Sequence, residues 1–124
     1  MTRRGFTIIE LLIVIAVLGI LAGLAYAKLQ SNKDKAIVAS MKSDLHAIAE
    51  EQEAYYFQNR DYTTQLNLLN ANPTIGNTIT ITEASPSGWS GNVANPKVAT
   101  VCYVFVGTAA PVGSATQDGV VDCS

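Results

Sequence analysis

A chain of 124 residues, 48% hydrophobic and 15% charged, has room for one modest domain beside a membrane segment. Its net charge of −2 conceals an asymmetry, because Arg3 and Arg4 precede a long apolar run and the remainder is more acidic than the whole. No basic patch is left to predict nucleic-acid binding, and two cysteines with a single distant histidine do not make a metal site.

Residues 6–27 are apolar except for Glu10, the only charged side chain among them. At a rise of about 1.5 Å per residue they make about 33 Å of helix, enough to cross a bilayer. A carboxylate is costly at the centre of such a segment and tolerable near its end, where Glu10 sits. Arginines before the run place the amino end in the cytoplasm and the rest of the chain outside. That compartment permits disulfides, so Cys102 and Cys123 can pair. A second reading of the same amino end is a secretory signal cut after Ala25-Tyr26-Ala27, releasing a soluble protein from Lys28. The length of the run, the presence of Glu10 and the helical character beyond Ala27 count against it.

Residues 28–59 contain neither Pro nor Gly and continue the helix. Ile37, Val38, Met41, Leu45, Ile48, Ala49, Tyr55 and Tyr56 recur at i, i+3, i+4 spacing as one buried stripe, with Lys35, Lys42, Glu50, Glu53 and Asn59 off it. One helix of about 50 residues is therefore expected, apolar all round in its first half and amphipathic in its second. In residues 60–77 Asn, Asp, Thr, Pro and Gly mark a connection, with a single helical turn at Gln65 to Leu69. "TITIT" alternates as a half-buried strand, "SPSG" is a turn, and a second, shorter strand lies around Trp89 to Val93. "KVATVCYVFVG" is the strongest strand and "GVVDCS" the fourth. The expected class is α+β, a long amino-terminal helix packed on an antiparallel sheet of three or four strands.

"RRGFTIIELLIVIAVLGILAGL", with basic residues, Gly5-Phe6-Thr7, Glu10 and an unbroken apolar helix, closely resembles the amino end of type IV pilins and pseudopilins. The resemblance is strong over the first quarter of the chain and looser beyond. It implies that residues 1–5 are a leader, that a prepilin peptidase cuts after Gly5, and that the new amine of Phe6 is methylated. It further implies a single-pass inner-membrane subunit that leaves the bilayer and polymerises, with the pilus assembly machinery, into a homo-oligomeric filament. Residues 6–27 would form the filament core, 28–59 the helix of the head, and 60–124 the loop, sheet and disulfide-closed end. No enzymatic activity and no cofactor are implied. Glu10, one turn from the Phe6 amine, would neutralise that charge within a helix or set register between staggered helices. Ala27 stands where many members have proline, so no kink is carried over.

Other candidates are plainer. His46 has no nucleophile beside it and reads as a helix-surface residue, and Glu50, Glu51 and Glu53 as a solvated face. Asp118 and Asp122 alone fall short of the six to eight oxygens that calcium takes. Gly19 and Gly23 form a GxxxG pattern, read as a close-packing or flexible stretch of the helix. Tyr55, Tyr56, Tyr62 and Trp89 read as core and interface. The rivals to a pilus subunit are a pseudopilin of a secretion or DNA-uptake machine and, in a different class, an anchored or secreted binding module.

Overall fold

A computed structural model describes residues 5–124. Arg3 and Arg4, on which the orientation rests, and the rest of the expected leader before Gly5 lie outside the described residues. The chain divides into two compact units, one ending at Lys33 and the other spanning Asp34–Ser124.

The helix α1 runs Ile8–Asn59. It starts where Thr7 and Glu10 cap it and stops where Arg60 turns left-handed, at φ 58°. The Arg60 N–H donates to the Tyr56 carbonyl at 2.8 Å and closes the last turn. In the first unit the side chains from Phe6 to Leu29 are exposed, as expected of a segment apolar all round.

In the second unit α1 contributes Met41, Leu45 and Ile48 to a core shared with Ile79, Ile81, Trp89, Val93, Cys102 and Val104. These come from one antiparallel sheet ordered β1 (Thr78–Ser85), β2 (Gly88–Ala94), β3 (Val101–Gly107) and β4 (Asp122–Cys123). Each fully buried large apolar side chain contributes about 1.5–3 kcal/mol, so Trp89, with 0% of its surface exposed, is a principal anchor. The alternation expected of "TITIT" holds, with Ile79 and Ile81 buried and their threonine neighbours exposed. The turn expected at "SPSG" is Pro86-Ser87, which sets Ser85 against Gly88. A carbonyl from that turn crowds Gly107: at φ 69° only glycine sits easily, and a Cβ there would collide with the Ser87 oxygen.

The second strand is shorter than the first, as expected, seven residues against eight, and reaches one residue beyond Trp89 and Val93 at each end. One expectation is corrected. The fourth strand is only two residues, because residues 108–121 cover the far side of β3 instead of pairing along it. Phe105 buries there with Ala109 and Ala115, Tyr103 packs alongside, and the Gly119 N–H donates to the Phe105 carbonyl at 2.8 Å.

The buried stripe of α1 also carries two polar residues, Asp44 and Gln52. Gln52 Nε2 donates to the Thr63 carbonyl at 2.7 Å and Gln52 Oε1 accepts the Thr63 N–H at 3.1 Å. Asp44 accepts the Thr74 N–H and hydroxyl at 3.0 and 2.8 Å, and the Asn77 amide at 2.7 Å. Asn77 in turn accepts from Asn95 at 2.7 Å. Buried polar groups persist only when so paired, and here the pairing fastens the 60–77 connection to the helix. The expected helical turn in that connection is a 3-10 turn, Leu66–Leu68, followed by the buried Leu69.

Candidate assembly site at the amino-terminal helix

The site expected to carry function is Gly5, Phe6 and Glu10. Gly5 and Phe6 precede the helix outside any regular element, and Phe6 is 88% exposed. Glu10 is turned back on its own chain: one carboxylate oxygen accepts the Thr7 N–H at 2.9 Å and the Thr7 hydroxyl at 3.0 Å. The same hydroxyl accepts the Glu10 N–H at 3.3 Å. This is a capping box, threonine at the N-cap and glutamate three residues on, and it satisfies N–H groups that a helix start leaves unpaired. Thr7-Ile8-Ile9-Glu10 spells that motif in the sequence, yet a carboxylate in an apolar run draws attention first to partners outside the chain. Thr7 is the residue that sequence reasoning missed.

Beyond Glu10 the helix has the length and composition to cross a membrane, with a mean hydropathy of 2.8 over its most apolar window. Gly19 and Gly23 lie within it, and a Cβ added at either would meet nothing within 4 Å. Close packing at these glycines therefore requires a second helix from elsewhere.

Cys102 and Cys123 are disulfide-bonded, facing each other across β3 and β4. Beside them Val101 and Ser124 exchange two backbone hydrogen bonds at 2.9 and 3.1 Å, fastening the chain's last residue to the sheet. Among the other candidates, Asp118 accepts the Gly107 N–H at 2.8 Å and Asp122 accepts the Cys123 N–H at 3.0 Å, so both carboxylates serve their own backbone. No cluster of three metal-ligating side chains occurs among the described residues. Tyr56 and Tyr62 stack with ring centroids 4.8 Å apart, and His46 is exposed, as expected of a surface residue.

Residues 1–26 match the family model described as the prokaryotic N-terminal methylation motif. The chain is similar to type II secretion system core proteins and to a type IV pilin. It is 40% identical over 63 residues to the type II secretion system core protein G of Klebsiella michiganensis, a stretch covering 51% of this chain and 44% of that one. Similarity to the protein of the same name from Escherichia coli is 37% over 62 residues, covering 50% and 43%. The type IV major pilin protein PilA of Myxococcus xanthus is 32% identical over 75 residues, covering 60% of this chain and 34% of its own length. The chain thus spans less than half the length of these relatives. Its long amino-terminal helix with a four-stranded antiparallel sheet is the α+β, pilin-like fold that the sequence led one to expect.

Proposed function

We propose that this chain is a structural subunit of a type IV pilus-like filament, and not an enzyme. It is inserted in the inner membrane with its amino end in the cytoplasm, cleaved after Gly5, methylated at Phe6 and polymerised through α1. The observation that carries this reading is the uncovered apolar helix: Phe6, Ile8, Ile9, Leu11, Leu12 and the side chains after them are at least half exposed or nearly so. Water does not tolerate so large an apolar surface, so it is covered by lipid before assembly and by other copies afterwards. The methylation motif over residues 1–26 supports the processing steps.

Intact-mass analysis of purified protein tests it. A mature chain beginning at N-methyl-Phe6 is expected; a start at Lys28, or an uncut chain where prepilin peptidase is active, contradicts it. A second reading, the pseudopilin of a secretion machine, is favoured by the core protein G relatives at 37–40% identity. Deleting the gene separates the two, because a pilus subunit removes surface fibres and a pseudopilin abolishes export of secreted proteins while fibres remain.

A further inference from the structure

The apolar run of α1 ends in a short collar of mixed character. Tyr26, 75% exposed, is followed by Lys28, Leu29 and Lys33, all exposed and all within the first compact unit. Ile8 opens the helix and Lys28 lies 20 residues on, about 30 Å along the axis, which is the thickness of a bilayer's hydrocarbon core. The collar therefore begins where hydrocarbon gives way to headgroups, and Tyr26 sets an aromatic ring with a polar tip at that level.

Neither ammonium finds an anion within the chain. Ion pairs on a helix form between residues three or four apart, and no carboxylate stands at those positions from Lys28 or from Lys33. Among the described residues the two lysines make no hydrogen bond and no ion pair, and Asp34, the nearest carboxylate, has an interaction of its own. Helix geometry aims both lysines at the bilayer. Each Cα–Cβ bond of an α-helix tilts toward the amino end, so a side chain just past the span leans back over it. Lys33 lies about 7 Å beyond Lys28 along the axis, and a headgroup layer about 5–7 Å deep is within reach of its long stem. The two lysines stand about 140° apart around the helix, so they meet different lipids.

We propose that Lys28 and Lys33, with Tyr26, form a binding collar for the headgroups of anionic phospholipids. The proposal rests on the membrane-inserted stage of the reading above, and holds whichever side of the membrane this end of the span occupies. Charge complementarity selects the occupant. An ammonium beside the phosphate of an anionic lipid gains attraction that the cation of a zwitterionic headgroup cancels. Anionic lipid thereby fixes the depth of the span. The contact is given up whenever the chain leaves the bilayer, so lipid charge acts as a brake on extraction.

Native mass spectrometry of the full-length chain tests this, after extraction from nanodiscs of equal parts phosphatidylcholine and phosphatidylglycerol. Wild type is expected to retain phosphatidylglycerol over phosphatidylcholine by about fivefold for each lysine. Lys28→Gln with Lys33→Gln should show no preference, each single change an intermediate one, and Lys28→Arg with Lys33→Arg the wild-type one. A second measurement leaves both lysines in place and so stands if a glutamine variant fails to insert. Ser31→Cys provides one free thiol, since Cys102 and Cys123 are bonded to each other, and carries a polarity-sensitive fluorophore. Its emission should shift to the blue in vesicles containing phosphatidylglycerol relative to phosphatidylcholine alone, and salt at about 1 M should remove the difference. Equal retention of the two lipids by wild type, a preference that survives the double glutamine change, or a fluorophore indifferent to lipid charge overturns the proposal, while chain that floats with both kinds of vesicle leaves the membrane reading standing. Wild-type chain that floats with neither overturns both.

Discussion

Glu10 holds Thr7 by both of its donors, the backbone N–H at 2.9 Å and the hydroxyl at 3.0 Å. The carboxylate that the sequence offers for a neighbouring subunit is therefore already employed in the single chain, starting its own helix. Any substitution at position 10 touches two roles at once, and glutamine separates them, because it serves a capping box as glutamate does but carries no charge.

Glu10→Gln is expected to reach the membrane at the wild-type level and to enter filaments poorly, whereas Glu10→Val loses the cap as well. Glu10→Asp keeps the charge with a shorter reach and falls between. Membrane level and sheared-filament yield are the two measurements. Wild-type filament yield from Glu10→Gln would mean that assembly needs the cap alone and that the charge is a passenger.

The Cys102–Cys123 bridge closes a loop with a sequence separation of 21. Loop-closure arithmetic gives about 3 kcal/mol for a bridge of this span, a large share of a small domain's stability. Cys102→Ala with Cys123→Ala is expected to lower the thermal midpoint of the detergent-solubilised chain by several degrees. Reductant should do the same to wild type and nothing to the variant; an unchanged midpoint in both would show that the Val101–Ser124 backbone pair holds the end by itself.

Gln52 is 0% exposed and occupies both the N–H and the carbonyl of Thr63. Gln52→Leu leaves those two groups buried without partners, at a cost of about 2–6 kcal/mol, given about 1–3 kcal/mol for each unsatisfied group. Amide exchange at Thr63 should rise with the loss of stability. Protection of that amide unchanged in Gln52→Leu would mean that the connection is held elsewhere.

Burial, followed by the hydrogen bond to Glu53, pushes the Tyr62 phenol from its ordinary 10.0 up to about 12. The folded chain favours the neutral phenol, so this contribution to stability is complete below pH 10 and is lost as the pH rises through about 12. Ultraviolet titration should show a late phenolate step that is missing in Tyr62→Phe. Loss of that step on Glu53→Gln alone would make the hydrogen bond, and not burial, the larger cause.

At Gly19 and Gly23 a methyl group meets nothing in the single chain. Each glycine weakens a helix by about 1 kcal/mol relative to alanine, so the double change Gly19→Ala, Gly23→Ala should leave membrane insertion untouched. In the filament it should stiffen the stalk, if the helix opens there on leaving lipid, or lower the yield, if helices pack closely there. Filaments of wild-type yield and extensibility would leave both glycines without a role.

What the sequence determined by itself is what depends on neighbours a few residues away. The apolar half of the helix, residues 6–27, is legible because length and polarity are properties of the local sequence, and the helix through Asn59 because no residue in 28–59 breaks it. Thr78 to Thr82 alternate visibly because strand faces alternate every residue. The cap at Thr7 was equally local. What only the tertiary structure decided depends on residues far apart in the chain. Asp44 and Gln52 look like solvent-facing interruptions of the apolar stripe, and become buried clamps because Thr74, Asn77 and Thr63 arrive 30, 33 and 11 residues later. The length of β4 was set by the loop before it, which gains more by burying Phe105 and Ala115 than by extending a strand at the edge of the sheet. Which of the acidic residues stay exposed, as Glu50 does, and which turn to the connection, as Glu51 does in accepting the Asn70 N–H, follows from where the sheet lies against the helix; spacing restricts that choice, and packing makes it.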